Sequence, residues 1–272
     1  MSDRVQIQIE DGVADVRLNR PEKMNALDEA MFAGLIESAT QLADDRSLRA
    51  VVLSGEGRCF CAGLDMSSFA AMAGDREEGE KKPARNLLGR DSSSVATFAQ
   101  RAALVWTELP VPVIAALHGV TFGGGLQIAL GADIRFAAPD ARLSVMEIKW
   151  GLIPDMTGTQ TLRHLVRLDI AKELTFTGRI VSGSEAAELG LVTHVSETPL
   201  EAALEMAHEI AGKSPSAIRT AKQLLQESRG VDGSAGLELE ARLQASLIGG
   251  SNQKEAVLSN IEKRAASYED PA

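Results

Sequence analysis

The alternation of apolar and polar residues predicts that the chain begins with β-structure. Residues 5–9 and 13–18 alternate apolar with polar side chains, and Asp11 and Gly12 between them are typical of a hairpin turn. Apolar residues then recur at helical spacing over residues 29–42, where Asp28 is placed to cap the helix. Residues 50–55 form a short apolar run that predicts a buried strand.

A longer apolar run, followed by three consecutive glycines, organises the middle of the chain. The run begins at Pro112 and predicts a buried strand, after which Gly123, Gly124 and Gly125 lead into a helical segment over residues 126–132. A strand, a glycine turn and a helix start expose backbone N–H groups at the positive end of a helix dipole. Such a site can hold a phosphate or a developing oxyanion.

Strands and helices alternate up to about residue 200, and the rest of the chain is helical in pattern. Further elements are expected at residues 95–108, 160–168 and 170–177 (helices) and at 133–138 and 191–195 (strands). Ser182 and Glu185 have the spacing of a capping box, and Gly190 is placed to end the helix that follows them. The fold class is therefore α/β, with a core over residues 1–200 and a helical region over residues 201–272.

The segment of residues 70–94 differs in composition from its surroundings. It is dominated by glycine, serine and charged residues, which predicts a solvated, mobile insertion rather than a domain boundary. The charged run from Asp75 to Lys82 is expected to be exposed, and one hypothesis places it over the functional site as a lid.

Composition narrows the possible classes of function. The 272 residues are 44% hydrophobic, which supports a full core, but no apolar run is long enough to cross a membrane. A net charge of −10 and only 4% aromatic residues disfavour nucleic-acid binding, which needs clustered cations and stacking surfaces.

Cys59 and Cys61 suit neither a disulfide framework nor a zinc pair, so we predict that they are small core residues and that the chain has no metal site. No signal-peptide pattern is visible, and we expect a cytoplasmic protein.

Five groups of residues, in order along essentially the whole chain, resemble the enoyl-CoA hydratase/isomerase, or crotonase, superfamily. They are Asn19-Arg20-Pro21 with Asn25-Ala26-Leu27, Phe60-Cys61-Ala62-Gly63-Leu64-Asp65-Met66, His118-Gly119 through Gly125, Gly151-Leu152-Ile153-Pro154 with Gly158-Thr159-Gln160, and Thr177-Gly178-Arg179 with Glu185-Ala186 and Gly190-Leu191-Val192. The resemblance implies a crotonase-like spiral of ββα units, followed by a C-terminal helical region that mediates trimerisation and forms a lid over the coenzyme A site. It also implies a homotrimer, or a hexamer of paired trimers, that acts on acyl-CoA. Coenzyme A would then be part of the substrate, and no cofactor would be permanently bound.

The same resemblance assigns roles to individual residues. The backbone N–H groups of Leu64 and Gly124 would hold the thioester oxygen of the substrate and stabilise an enolate. The residues implied to bind coenzyme A are Lys23, Ala26, Ala62, Leu64, Asp65, Met66 and Gly124.

The acid–base groups distinguish the reactions within this superfamily. Hydratases use two glutamates, of which the first falls on Gln127, a residue that cannot transfer a proton, and the second on Glu147. Asp155 lies eight residues after Glu147, and this spacing is similar to the dienoyl-CoA isomerase branch, in which two carboxylates move double bonds by proton transfer. That branch has an aspartate where Gln127 stands, so we interpret Gln127 as a group that orients a water molecule or the substrate.

The leading hypothesis is therefore an isomerase in which Glu147 and Asp155 carry protons. A hydratase that uses Glu147 alone and an acyl-CoA binding protein without catalysis are the alternatives. For single residues, Glu147 could instead be a solvated loop acid, and Asp155 could cap the helix that begins near Thr157. His118 is expected to be packed and hydrogen-bonded rather than a base.

Overall fold

Two sheets, built from the strands that the structure describes, form the framework of the protein. The computed structural model describes residues 3–68, 87–90 and 94–271. The charged run from Asp75 to Lys82, which the sequence predicts to be a solvated insertion and a possible lid, lies outside these residues. The strands are β1 (Val5–Glu10), β2 (Val13–Leu18), β3 (Ala50–Gly55), β4 (Val113–Leu117), β5 (Val120–Phe122), β6 (Ile134–Ala137), β7 (Arg142–Ser144), β8 (Val181–Ser182) and β9 (His194–Val195).

The described strands are arranged in a larger and a smaller sheet. The larger sheet has the order β1-β2-β3-β4-β6-β9, in which the β1–β2 hairpin is antiparallel and the later pairings are parallel. The smaller sheet has the order β5-β7-β8. Because parallel neighbours need crossover connections, most of the helices lie between strands.

Helices follow most of the strands and fill the C-terminal part of the chain. They are α1 (Glu29–Ala43), α2 (Phe98–Glu108), α3 (Gly124–Leu130), α4 (Gly158–Leu165), α5 (Leu168–Thr177), α6 (Gly183–Leu189), α7 (Pro199–Ala211), α8 (Pro215–Glu227), α9 (Gly233–Leu247) and α10 (Ser251–Glu262). Short 3₁₀ helices span Pro21–Lys23, Glu147–Trp150 and Ser228–Gly230. Among these described helices, none has both the length and the apolar character that crossing a bilayer requires.

The N-terminal elements form where the sequence predicts them. The β1–β2 turn has positive φ at both Asp11 (48°) and Gly12 (78°), the conformation that a two-residue hairpin of this type requires. Asp28 caps α1, because its carboxylate accepts a hydrogen bond from the backbone N–H of Met31 at 2.8 Å. The predicted hairpin and the predicted cap are both confirmed.

The larger sheet is apolar on both faces, and alternate residues of its strands enter two separate cores. In β3, Val51 and Leu53 belong to the main core, whereas Ala50 and Val52 face helix α7 together with other alternate residues of the sheet. This explains why the strand sequence is continuously apolar rather than alternating. The predicted boundary at residue 200 falls at the start of α7, the helix that covers the second face.

Polar contacts fix helix α8 to the sheet. The buried ammonium of Lys222 donates to the carbonyl of Val111 at 2.9 Å and pairs with Asp133 at 2.7 Å. Asp133 in turn accepts from the N–H of Val113, at the first residue of β4. The C-terminal helices are therefore attached to the same strand that leads to the three glycines.

The apolar run that predicts one strand is divided between the two sheets. It forms β4 in the larger sheet and β5 in the smaller sheet, with His118 and Gly119 at the change of direction. Gly119 has φ +57°, and a Cβ on it would lie 2.1 Å from the carbonyl oxygen of Arg58. The close approach of Arg58 and Cys59 to this glycine brings the 59–65 segment beside β5.

Other boundaries differ from the predictions by a few residues. Helix α2 begins at Phe98 rather than residue 95, because Thr97 and Gln100 form a capping box before it. The strand predicted over residues 191–195 is reduced to His194–Val195.

The capping box predicted at Ser182 is only half formed. Ser182 accepts from the N–H of Glu185 at 3.1 Å, as expected. The carboxylate of Glu185 pairs with Arg179 instead of reaching back to Ser182. Gly190 ends α6 with φ 90°, as predicted.

We predict that Gly119→Ala lowers the free energy of unfolding by about 3 kcal/mol or more, because it adds left-handed strain to a steric clash in a packed region. Chemical denaturation of the purified variant measures this loss. Gly233→Ala is the matched control, since a Cβ there meets no atom within 4 Å and its φ is not positive. Equal stability of the two variants would contradict this account of the junction.

Candidate active site

In the segment after β3, residues 63–65 pair with the backbone of Leu27, but the N–H of Leu64 points away from it. Leu27 N donates to Gly63 O at 2.8 Å, and Asp65 N donates to Leu27 O at 3.0 Å. The N–H of Leu64 belongs to the same peptide unit as the carbonyl of Gly63, so it points in the opposite direction, away from the backbone of Leu27. No hydrogen bond joins this N–H to another of the described residues.

The start of helix α3 provides a second N–H of the same kind. Gly123 O accepts from Gln127 N at 3.0 Å in the first turn of the helix, so the N–H of Gly124, in the same peptide unit, points outward from the helix start. It too has no partner among the residues that the structure describes. Gly123 has φ 52° and ψ −122°, a backbone conformation that requires glycine.

The two loops lie side by side and face one cavity. Cys61 N donates to Val120 O at 3.1 Å and Phe122 N donates to Cys61 O at 3.0 Å, which pairs the first loop with β5. Leu64 and Gly124 both line a cavity of about 270 Å³. Its described wall is mainly apolar and includes Leu27, Phe32, Met66, Leu88, Phe122, Met146, Trp150, Leu152, Ile153 and Met156.

Glu147 brings a carboxylate into this apolar cavity. It opens the 3₁₀ helix Glu147–Trp150, is only 9% exposed and lines the cavity. Burial raises the pKa of Glu147, and a hydrogen bond from Gln127 opposes that effect. Its Oε2 is buried without a hydrogen-bond partner among the described residues. The alternative that Glu147 is a solvated loop acid is therefore wrong.

Asp155 lines the same cavity from the loop before α4, on the side open to solvent. The surrounding protein restricts hydration of the carboxyl group and so raises the pKa of Asp155. The residue at the N-cap of α4 is Thr157, whose side chain makes no capping hydrogen bond. The alternative role of Asp155 as a helix cap is therefore wrong.

Gln127 connects the two acidic segments. Its side chain is 3% exposed, and its amide nitrogen donates to Glu147 Oε1 at 2.6 Å. Its amide oxygen accepts from the N–H groups of Met156 at 2.8 Å and Gly158 at 3.0 Å. One amide N–H remains for another partner, so the proposed orientation of water or substrate by Gln127 would use that hydrogen.

The residues predicted to bind coenzyme A are only partly brought together. Ala62 and Met66 line the cavity beside Leu64 and Gly124. Lys23 is exposed on the 3₁₀ helix Pro21–Lys23, and Ala26 is buried; neither lines the cavity.

Asp65 is occupied by internal contacts. Its carboxylate accepts from the N–H and hydroxyl of Ser67 at 2.8 and 2.6 Å and pairs with Arg20. These hydrogen bonds lower the pKa of Asp65 to about 2, and Asp65 does not line the cavity. The structure therefore gives Asp65 the task of holding the loop that carries Leu64.

The remaining candidate side chains have structural contacts outside the cavity. His118 Nε2 lies 2.9 Å from Gly57 O, as expected for a packed, hydrogen-bonded histidine. Cys59 and Cys61 are buried and free, and burial raises the pKa of Cys61 to about 12, which makes it unreactive. Within the described ranges, no group of three or more His, Cys, Asp or Glu side chains is placed to hold a metal ion.

Comparison with known proteins gives the family. The profile of the enoyl-CoA hydratase/isomerase family matches residues 8–271. The chain is 33% identical over 267 residues to enoyl-CoA hydratase domain-containing protein 2, mitochondrial, from Mus musculus. That alignment covers 94% of this chain and 84% of the mouse protein. It is also 33% identical to methylglutaconyl-CoA hydratase, mitochondrial, from Mus musculus, over 94% of this chain and 79% of that protein. The chain belongs to the enoyl-CoA hydratase/isomerase family.

Solved structures agree with this assignment. The crystal structure of enoyl-CoA hydratase from Bacillus anthracis superposes with a TM-score of 0.86 at 32% identity, over 98% of this chain and 100% of that chain. The resemblance to the crotonase superfamily and the crotonase-like α/β fold are thus confirmed. As a member of the enoyl-CoA hydratase/isomerase family, the chain is an acyl-CoA enzyme.

Much of the cavity wall of this family member comes from residues that the sequence motifs do not assign to the site. Trp150, Leu152 and Ile153 are exposed apolar residues between the two acidic residues of the site. The sequence does hint at their role, because they are apolar side chains in a segment that has neither helical nor strand periodicity. Phe32 also lines the cavity without a local sequence signal, because it belongs to α1 and reaches the cavity only through tertiary packing.

We predict that Glu147→Gln raises the free energy of unfolding by about 1–3 kcal/mol at alkaline pH, because it removes a buried charge with an unpaired oxygen. A carboxyl whose pKa is raised by folding destabilises the folded protein increasingly as pH rises from its unfolded to its folded pKa. The gain should therefore be small in acid and full above the folded pKa. Denaturant titrations across pH measure it, with exposed Glu197→Gln as the control; a gain independent of pH would contradict the prediction.

Proposed function

We propose that this chain moves C=C bonds in acyl-CoA thioesters through an enolate, in the manner of the dienoyl-CoA isomerase branch. The observation that carries the proposal is the placement of four groups at one cavity. The N–H groups of Leu64 and Gly124 are without partners among the described residues, and Glu147 and Asp155 line the same space. The two N–H groups are suited to binding a thioester oxygen, and the two carboxyl groups are suited to proton transfer along an acyl chain.

The two N–H groups supply the electrostatic part of the proposed reaction. Removing a proton next to a thioester puts negative charge on its oxygen, and two fixed N–H donors in a mainly apolar cavity stabilise that charge. Loss of one donor of this type typically slows a reaction by about 10²–10³-fold. Because Leu64 and Gly124 donate through the backbone, their side chains do not enter the chemistry.

The two carboxyl groups have different surroundings, which supports different roles. Glu147 receives a hydrogen bond from Gln127 that favours its ionised form and suits a base. Asp155 has no such side-chain donor among the described residues, and restricted hydration raises its pKa, so Asp155 is assigned the role of the acid.

Protons and electrons balance in this scheme. Glu147 takes a proton from a carbon of the acyl chain, and the C–H electron pair enters the enolate. Asp155 gives its proton to a carbon farther along the chain as the enolate collapses, which shifts the double bond. The thioester keeps its mass, and proton exchange with solvent returns Glu147 to the ionised form and Asp155 to the protonated form.

The cavity wall supports an uncharged acyl group as the substrate. Gln127, Glu147 and Asp155 are the amide and carboxyl side chains of its described lining, and no Lys, Arg or His belongs to that lining. An acyl group with its own carboxylate, such as methylglutaconyl, would meet two acidic side chains without a compensating cation in the described part of the cavity wall. A neutral, apolar enoyl or dienoyl chain would instead pack against the aliphatic and aromatic residues.

Hydration is the second candidate, and the names of the relatives favour it. Enoyl-CoA hydratase domain-containing protein 2 and methylglutaconyl-CoA hydratase are both 33% identical to this chain. In this alternative, Glu147 alone takes a proton from water as the hydroxyl adds to the double bond, and then returns that proton to the neighbouring carbon. We nevertheless prefer isomerisation because Gln127 takes the place of the first of the two glutamates that hydratases use. A glutamine cannot transfer a proton.

The C-terminal helices support the proposed homotrimer or hexamer. Large apolar side chains of α9 and α10 are exposed in the single chain, including Leu237, Leu258 and Ile261. Exposed apolar residues in this number are typical of an interface between subunits.

Turnover of a thioester panel tests the proposed reaction. We expect the purified protein to convert neutral 3-enoyl-CoA or dienoyl-CoA into products of unchanged mass, and to act poorly on methylglutaconyl-CoA. Glu147→Gln should lower turnover by about 10³-fold and Asp155→Asn by about 10²-fold, since each removes one proton carrier. Product mass and absorbance are the measurements, with exposed Glu197→Gln and Asp140→Asn as matched controls.

The outcomes separate the candidates. Products that gain the mass of one water from 2-enoyl-CoA, with Asp155→Asn fully active, would replace isomerisation with hydration. Tight acyl-CoA binding without turnover on any thioester would contradict both reactions and favour the binding-protein alternative. Unchanged isomerisation by Glu147→Gln would remove Glu147 from the mechanism.

A further inference from the structure

Gln127 occupies a fixed position between the two proposed proton carriers. Its amide oxygen accepts from two backbone N–H groups, Met156 and Gly158, and its amide nitrogen donates to Glu147. Both loop groups can only donate, so the oxygen must face the loop and the nitrogen must face the carboxylate. The orientation of this amide is therefore determined by its partners.

The loop that Gln127 holds is strained. Thr157, between the two bonded N–H groups, has φ 66° and ψ 0°, the left-handed region that a β-branched residue avoids. Its Oγ1 is buried without a hydrogen-bond partner among the described residues. Backbone in this state persists only when its surroundings hold it, and the two hydrogen bonds to Gln127 do so on both sides of Thr157. Asp155 is the residue directly before this clamped turn.

The same amide controls one oxygen of Glu147. The hydrogen bond from Gln127 fixes Oε1, while Oε2 has no partner within the described residues. The titratable side chain that faces the Glu147 carboxyl from the described elements around it is Asp155. Helix α3, packed on the other side, contributes the uncharged Gln127. A carboxylate at position 127 would stand 2.6 Å from Oε1, where two carboxylates cannot both be ionised.

We propose that Gln127 is a positioning residue that keeps Glu147 ionised as the base and holds Asp155 in place by clamping the strained turn behind it. The inference rests on the proposed function and deepens it, because it explains why an amide takes the position of a second acid. With an uncharged donor at position 127, Glu147 acts as the base and Asp155 acts separately as the acid. A carboxyl group there would create a coupled pair with Glu147 that shares a proton.

Two substitutions separate the two tasks of Gln127. Gln127→Met removes both the clamp and the donor. Gln127→Glu keeps an oxygen that can accept from Met156 and Gly158 but replaces the donor with a second acid. We expect Gln127→Met to lower kcat by about 10²-fold, the cost of a misplaced catalytic group, with little change in KM. The acid limb of the pH profile should move to higher pH in both variants, and farther in Gln127→Glu.

A titration independent of turnover keeps the inference testable if the proposed reaction is wrong. Infrared difference spectra of protein labelled with ¹³C-glutamate follow protonation of Glu147 directly, and the band that disappears in Glu147→Gln identifies it. We expect its titration to move upward in both Gln127 variants and to stay unchanged in exposed Gln41→Met and Gln41→Glu. If Glu147 titrates as in the unmodified protein in both variants, Gln127 only fills space and the inference fails. Absence of isomerisation with a shifted titration would instead overturn only the proposed function.

Discussion

Two backbone N–H groups that have no partner within the described part of the chain, beside an apolar cavity, are the constraint around which this structure is arranged. Polar backbone groups are rarely left unpaired at such places, since each lost hydrogen bond costs stability. In this chain the carbonyls of Gly63 and Gly123 are bonded, and those bonds turn the N–H groups of Leu64 and Gly124 the other way. The hydrogen bonds of Cys61 with Val120 and Phe122 and the close contact at Gly119 hold the two loops together. A ligand oxygen between the two groups would satisfy both donors.

The carboxyl groups follow from the same apolar surroundings. The wall that strengthens an N–H interaction with an enolate oxygen also raises the pKa of Glu147 and Asp155, so both can exchange protons closer to neutral pH. Gln127 then differentiates them, because it donates to Glu147 and holds the turn that follows Asp155. This arrangement costs stability, as two features indicate: Glu147 Oε2 has no partner among the residues that the structure describes, and Thr157 is left-handed.

Local sequence patterns predicted the elements whose causes are local. The Asp11-Gly12 turn and the Asp28 cap formed as expected because each depends on a few neighbouring residues. The split of the apolar run into β4 and β5 was missed, since it depends on Gly119 meeting Arg58, 61 residues earlier in the chain. The candidate acids were found from the family resemblance, whereas Phe32 and the two hydrogen bonds of the Gln127 oxygen exist only through tertiary packing. The assignment of Asp65 to coenzyme A came from the family resemblance and stays a prediction, whereas its pairing with Arg20, 45 residues earlier, is visible only in the structure.

The central claim is that the N–H groups of Leu64 and Gly124 share one thioester oxygen. A crystal structure of the protein with a bound, enolisable 3-ketoacyl-CoA tests it most directly. The account predicts that the thioester oxygen lies about 2.7–3.1 Å from both nitrogens, the range of an oxyanion site. A thioester oxygen bound to only one of these nitrogens, or to neither, would contradict the account.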